Sequence, residues 1–491
     1  MSLQPGSSSG SPLEGAGRKS NKIGRVTEES RKMREENMIR MRKTEPQNIL
    51  LRKRINISGL NHQLMEALPE IIERVCAEYP DHRLEVNEHF RRLTVGEEVP
   101  VDEVLKKGIL PHLVGFLSRD DAPQLQREAL WIVSNFNFAS GTSQQITAIV
   151  ELGVVPPLVN LLSSTDEDTR EEVVFWNIVR DSANNRDLVL NHGALMPILG
   201  HLQPQSKLSM LRLASWCLSL LLRGEPPVSL EQIKPALPVL QRLVHMTDEE
   251  ILTDTCWALA YFSVGETERS QAILDLGICP RLLELLQHPS DTITLTVLLF
   301  FGNIVTYNNG PQTRFLIDIQ LLRRLRRVLM REYNKSIFRE ACWTISNIAS
   351  GHRDQFQVVI DANIIDSVVK VVHNAGFEVK IEAAWVICNI TFGGYTDHIR
   401  YLAAHGCIEA LCELLTYSDL AIVRVCLLAL DSILGVGESD RNDRGNSFAK
   451  RVEQCGGLDN IEMLQTHDNN EISKTATLIL VSYFAEAEMD E

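Results

Sequence analysis

Tryptophan stands at six positions, Trp131, Trp176, Trp216, Trp257, Trp343 and Trp385, and the spacing is regular enough to do chemistry. Trp216 to Trp257 is 41 residues and Trp343 to Trp385 is 42. Trp257 to Trp343 is 86, two periods, and the skipped position falls near Leu299, four residues before Asn303. Trp131 to Trp216 is 85, and there the skipped position falls near Val173, four before Asn177. Around Trp343 the chain reads Arg339-Glu-Ala-Cys-Trp-Thr-Ile-Ser-Asn347. Ala341, Ile345 and Ile348 form the i, i+4, i+7 stripe of a helix's core face. Trp343 is turned about 200° from Ala341 at 3.6 residues per turn and shares its face with Asn347. The same register sets Ala383, Ile387 and Ile390 against Trp385 and Asn389, and Thr255, Leu259 and Phe262 against Trp257 and Tyr261. An indole and an amide are therefore expected on the side away from the core, once per repeat.

Such a ladder suits an extended basic peptide. Parallel indoles form slots for the aliphatic stems of Lys and Arg, with cation–π attraction added. Asn carries both a donor and an acceptor, so it can bond a peptide backbone without reading its sequence. A buried-core reading would leave each Asn needing a partner. Carboxylates should meet the cationic heads: Asp254 and Glu382 each lie three residues before a ladder Trp, and Asp181 follows Asn177 by four.

Other strings that could carry chemistry fail on context. Gly6-Ser-Ser-Ser-Gly10 matches a nucleophile-elbow pattern but sits in a Ser/Gly-rich tail with no strand or helix around it. The chain has no phosphate-binding loop motif and no H-E-x-x-H. Its ten cysteines form no C-x-x-C pair, which argues against a zinc module or a disulfide framework. Those at 217, 256, 342 and 388 adjoin ladder positions and read as core. Asn389-Ile-Thr391 fits a glycosylation sequon but belongs to the ladder. No cofactor or metal is expected, and no enzyme.

The elements that must hold this ladder are helices. A turn glycine followed by an apolar helix recurs at Gly153-Val-Val-Pro-Pro-Leu, Gly193-Ala-Leu-Met-Pro-Ile and Gly277-Ile-Cys-Pro-Arg-Leu, and more loosely at Gly108 and Gly406. Strand signals are few. A helical period of about 40–47 residues means an armadillo or HEAT solenoid, in which neighbouring repeats stack into one continuous core. We count ten repeats over 64–484, the first and last least regular. Residues 1–17 are a Ser/Gly-rich tail expected to be disordered, 18–57 a basic segment, and 485–491 an acidic tail.

The 491 residues carry a formal charge of −15, unevenly spread. Residues 1–57 hold 13 Lys/Arg and 6 Asp/Glu, a net of +7, so the remainder is −22. A net negative body is a poor nucleic-acid surface, because phosphates are repelled. No uncharged apolar run reaches the roughly 18–20 residues of a membrane span, so no membrane insertion is expected. The N-terminus lacks an apolar signal region. The basic arm can fold onto the acidic body and compete with other basic ligands; the plainer alternative is a basic tail for RNA or for the chain's own localisation.

Several segments, taken in order, resemble the importin-α (karyopherin-α) family: Trp131-Ile-Val-Ser-Asn135, Ser140-Gly-Thr-Ser143, Asp254-Thr-Cys-Trp-Ala-Leu-Ala-Tyr261, Gly302-Asn-Ile-Val-Thr306, Trp343-Thr-Ile-Ser-Asn347 and Cys455-Gly-Gly-Leu-Asp-Asn-Ile-Glu462. The resemblance covers nearly the whole chain. It implies an all-α, right-handed superhelical armadillo-repeat solenoid that adapts nuclear-import cargo and shuttles between cytoplasm and nucleus. It implies a minor nuclear-localisation-signal site at Asn303, Val305, Thr313, Trp343, Asn347, Glu382, Trp385 and Asn389. A major site would use Trp131, Asn135 or Asn137, Thr142, Asn177, Asp181, Trp216, Arg223, Asp254, Trp257 and Tyr261. Residues 18–57 resemble the family's importin-β-binding segment, with Arg31, Lys32 and Arg34 on a helix and Arg52, Lys53 and Arg54 as an autoinhibitory mimic of cargo. An exportin of the CAS type would use the C-terminal repeats around Cys455–Glu462. The alternative function is an armadillo scaffold in signalling or adhesion with no part in transport.

Departures from the family pattern set further expectations. Val173 takes a Trp position, Trp176 directly precedes Asn177, Leu220 takes an Asn position, and Leu299 stands where the family often has Arg. The stretch Asn135-Phe-Asn-Phe-Ala-Ser-Gly141 is two residues longer than the family pattern, so either Asn135 or Asn137 is the ladder amide. The minor groove is therefore intact and the major one eroded. Pro46 lies inside the arm's helical stretch, where an interior Pro costs about 3 kcal/mol, so that helix should break near Glu45.

Overall fold

The structure is a computed structural model. It describes residues 105–485 apart from 107, 109, 140, 141, 174, 175, 266, 308, 309, 332, 333, 352 and 444. The tail 1–17, the arm 18–57 with Pro46, the first repeat at 64–100 and residues 486–491 lie outside the described residues.

The described chain is helical throughout, with one isolated bridge, Asn442 to Gly445, and no strand among the described residues. Short helices alternate with longer ones in threes, as in Pro311–Asp318, Leu321–Leu329 and Lys335–Ile348. The third helix of each group packs on the third helix of the next. These inner helices are α1 (Pro123–Ala139), α2 (Trp176–Asp181), α3 (Leu208–Leu222), α4 (Glu249–Phe262) and α5 (Asp291–Tyr307). They continue as α6 (Lys335–Ile348), α7 (Phe377–Gly393), α8 (Leu420–Ser439) and α9 (Asn470–Tyr483).

Local chemistry explains where each helix begins. Asp248, Asn334, Asp419 and Asn469 cap α4, α6, α8 and α9, their side-chain oxygens accepting from the first-turn amides. The turn before the middle helix takes the left-handed conformation at Gly108, Gly153, Gly193, Gly277, Gly406 and Gly456. Gln320 and Asn363 adopt the same conformation in two of the three groups that have no glycine there, at φ 68° and 51°, and in the third the tight turn Lys234–Ala236 leads directly into Leu237–Leu243.

The core is one apolar column shared by successive repeats. Ala341, Ile345, Ile348, Ala383, Ile387, Ile390, Leu259 and Phe262 are all fully buried, as the helical register requires. Side chains also tie each repeat to the next. Arg186 donates to the carbonyls of Arg223 (2.9 Å) and Pro226 (2.8 Å), and His201 bonds the Leu162 carbonyl at 2.6 Å. Helix α8 has the length and hydropathy of a membrane span, but Arg424 and Asp431 interrupt it, so it is not the uncharged apolar run that a span requires. Its apolar residues Ile422, Cys426, Leu430 and Ile433 are buried, it packs between α7 and α9, and its Arg424 pairs with Glu471 of α9 at 2.6 Å. It is a core helix.

Candidate peptide-binding ladder

The residues singled out by spacing fall on the inner helices. Trp131 lies on α1, Trp216 on α3, Trp257 and Tyr261 on α4, Asn303 and Val305 on α5, Trp343 and Asn347 on α6, and Trp385 and Asn389 on α7. Because these helices pack side by side, residues one repeat apart in sequence become neighbours.

The amides record this directly. Asn303 Nδ2 donates to the Ala260 carbonyl at 3.0 Å and to Ser263 Oγ at 3.1 Å. Asn389 Nδ2 donates to the Ser346 carbonyl at 2.9 Å. Asn347 Nδ2 donates to Thr306 Oγ1 at 2.6 Å, and that hydroxyl donates in turn to the Gly302 carbonyl at 2.7 Å. Each amide thus fastens its helix to the preceding inner helix. A fixed amide needs no ordering when it meets a ligand.

The tryptophans differ among themselves. Trp131, Trp216 and Trp257 are half-buried, and Trp257 stacks with Tyr261 at 6.1 Å between ring centroids. Trp343 and Trp385 are only 7% and 6% exposed, where the register predicts indoles standing clear of the core. One cause is visible for Trp343: its ring lies against the backbone of Gly302 on α5, so tightly that a Cβ there would stand 2.3 Å from Cζ3. Glu382, Asn389 and Asn303 are buried as well. Val305 and Thr313, expected in the minor site, are 0% and 1% exposed, so their side chains belong to the core and not to a peptide-facing surface.

On the N-terminal side the departures in sequence correspond to departures in backbone. The helix that should carry a Trp at Val173 ends at Glu172, and Val173 turns to extended geometry (ψ 109°). The chain resumes as the short α2, with Asp181 bound to Asn185 at 3.0 Å. Asn135, Asn137, Trp176 and Asn177 lie on helices, but their side chains are outside the described residues. Leu220 is buried in α3. Thr142 caps the helix Ser143–Glu151, accepting from Gln145 N at 3.3 Å. Arg223 ends α3, where burial and then the charge of Arg180 lower its pKa.

Asp254 is the carboxylate that stands out. It lies on α4, half-buried, one turn before Trp257, with Ser215 Oγ of α3 at 3.4 Å. Burial pushes its pKa up to about 8, and Glu250 and Asp248 push in the same direction, against the Ser215 hydrogen bond. Sequence reasoning placed Asp254 in the site but had no signal for its proton.

Among the described residues no three His, Cys, Asp or Glu side chains are grouped so as to share a metal ion. Eight of the nine described cysteines are buried, and burial raises Cys217 and Cys256 to about 12.

Triads of helices with stacked inner members define an armadillo-repeat solenoid. Armadillo/beta-catenin-like repeat models match residues 98–136, 142–174 and 352–392, and an atypical Arm repeat model matches 446–491. The crystal structure of an engineered protein superposes with a TM-score of 0.72 at 24% identity, over 84% of this chain and 97% of that one. "Importin subunit alpha-1a" of Oryza sativa subsp. japonica is 44% identical over 96% of this chain and 92% of its own length. "Importin subunit alpha-4" of Arabidopsis thaliana is 44% identical over 96% and 91%. The chain belongs to the importin-α family: it is a nuclear import adaptor and not an enzyme.

Proposed function

We propose that this adaptor binds Lys/Arg-rich nuclear localisation signals in an extended pose along the inner helices, and hands them on by linkage to importin-β through residues 18–57. The observation that carries the reading is the pair of fixed amides, Asn347 on Thr306 and Asn389 on Ser346, each four residues after an indole. Their Oδ1 atoms can accept from a peptide N–H, while Trp343 and Trp385 flank the Lys or Arg stem. Opening those slots requires a small movement of the indoles.

The minor site at Trp343, Asn347, Trp385 and Asn389 is the stronger of the two. The interruption after Glu172, the apolar Leu220 and the positive Arg180–Arg223 neighbourhood all work against a second cationic ligand at the major site. Arg52-Lys53-Arg54 occupies the ladder when importin-β is absent, because a tethered ligand acts at high effective concentration. The C-terminal repeats around Cys455–Glu462 take the exportin that returns the adaptor from nucleus to cytoplasm.

Fluorescence anisotropy with a one-cluster and a two-cluster basic peptide tests this. Trp343→Ala with Trp385→Ala should abolish most binding, and removal of residues 1–57 should raise affinity. Undiminished affinity in the double variant would sink the minor-site reading, and no gain without the arm would end the autoinhibition.

A further inference from the structure

Helix Leu321–Leu329 reads Leu-Leu-Arg-Arg-Leu-Arg-Arg-Val-Leu and buries Leu321, Leu322, Leu325, Val328 and Leu329. Its other face is arginine. Arg323 and Arg327 are exposed, Arg324 and Arg326 half-buried, and Arg331 is exposed just beyond the helix end. Many other arginines of the body find carboxylates, as in Arg212 with Asp248 (2.7 Å), Arg400 with Asp440 (2.7 Å) and Arg451 with Glu409 (2.7 Å). Arg323, Arg324 and Arg327 make no ion pair with another described residue.

Nothing in the fold asks for these charges. The equivalent helices of other repeats read LMPILGH, CPRLLEL, IDSVVKVVHN, CIEALCEL and GLDNIEML, none with more than one Arg. Arg323 and Arg327 are an i, i+4 pair and Arg324 and Arg327 an i, i+3 pair, spacings at which like charges destabilise a helix. Three arginines, Arg323, Arg324 and Arg327, with no carboxylate partner among the described residues of a body of net charge −22, form a surface kept for something outside the fold.

We propose that the Arg323–Arg324–Arg327 face docks an acidic segment of a partner protein, bound extended, with Asp, Glu or phosphoserine side chains on alternate residues. Four helical residues rise about 6 Å, close to the roughly 6.8 Å between alternate residues of an extended chain. The guanidinium fork matches carboxylate and phosphate oxygens in bidentate fashion. The reach of the cluster is short. At physiological salt its field decays over about 8 Å. A nucleic acid or a membrane would extend well past an arginine face one short helix long; a short peptide lies within it. This surface is separate from the ladder, so its occupation leaves basic-peptide binding intact.

The test is anisotropy of a labelled (Glu-Ala)5 peptide with the full chain and with Arg323→Glu plus Arg327→Glu, alongside a basic peptide. The expected result is saturable binding weakened at least about tenfold by the charge reversal, partly retained in Arg323→Lys plus Arg327→Lys, with basic-peptide affinity unchanged. A thermal melt confirms the fold, and Arg323→Gln plus Arg327→Gln replaces the reversal if that variant unfolds. No saturable binding overturns the proposal. So does equal binding by the variants, which assigns the probe to the arm at 18–57. Binding of a single-stranded RNA or of phosphatidylserine vesicles that the same variants abolish, with no peptide binding, also overturns it.

Discussion

The ring of Trp343 rests on Gly302, with room for a hydrogen at that Cα and for nothing larger. Gly302 lies mid-helix in α5, where glycine is normally a poor choice relative to alanine, by about 0.5–1 kcal/mol. The close approach of the indole is the reason to keep it there. Gly302→Ala places a Cβ 2.3 Å from Cζ3, so the ring must move. The expected outcome is a loss of about 1–3 kcal/mol in chemical denaturation. Basic-peptide affinity should fall with it, read by titration at a temperature where the variant stays folded. A variant with unchanged stability and affinity would mean that the indole has other places to go.

The ladder amides make different demands on their neighbours, and one substitution separates them. Asn389 donates to a backbone carbonyl, which can only accept. Asn389→Asp sets a carboxylate against that carbonyl inside a buried site and should cost about 1–3 kcal/mol or more. Asn347 donates to the Thr306 hydroxyl, whose single proton goes to the Gly302 carbonyl and can be turned from it toward a carboxylate. Asn347→Asp should therefore be tolerated far better. Thermal melts of the two variants side by side check this, and equal losses would contradict it.

Glu413 ties two repeats together. Its carboxylate pairs with Lys380, which is buried, and with His373 Nδ1 at 2.7 Å. Burial works against its charge, yet the hydrogen bonds from Lys380 and His373 hold its pKa below the usual carboxylate value. A carboxyl with a lowered pKa adds stability that is present above its unfolded pKa, near 4.5, and lost as pH falls through the folded value. Glu413→Gln should lower the melting temperature at pH 7 by leaving the Lys380 ammonium short of a partner. The gap from the parent protein should narrow below pH 4. A gap independent of pH would point to packing instead of charge.

The architecture was legible from periodicity because tryptophan and the Ala/Ile core stripe repeat every 41 or 42 residues, and stacking demands that repetition. The Gly turn signal was less complete. Gln320 and Asn363 fill the same left-handed position without glycine, so local pattern alone passed over two turns. The ladder's face was found, but its depth was not. Angular register says that Trp343 and Ala341 point apart; it is silent on how closely the next helix approaches, and Gly302 lets α5 come near enough to cover the ring. The tether of each Asn to the repeat before it is likewise a contact 41 or 43 residues away in sequence, outside the reach of local reasoning.

Asp254 gives the ladder a pH dependence whose sign can be worked out. With its pKa near 8, the carboxyl is mostly protonated at pH 7, whereas in the unfolded chain it ionises near 3.8. The folded state thus holds a proton that the unfolded state has released. Stability is undiminished below pH 3.8 and declines as pH rises from there to about 8. Asp254→Asn should accordingly raise the melting temperature at pH 8 and change little at pH 4. Binding runs the other way. A Lys or Arg arriving beside Asp254 is attracted only to the ionised form, so ligand binding at neutral pH must drive off the proton. Where Asp254 contributes, affinity should climb with pH up to about 8, by at most about tenfold per unit. Calorimetry in two buffers of different ionisation enthalpy measures the proton release directly, and Asp254→Asn should remove both the release and the slope. A basic peptide that binds without releasing a proton, and with the same affinity at pH 6.5 and 8.5, would show that the ligand bypasses this carboxylate.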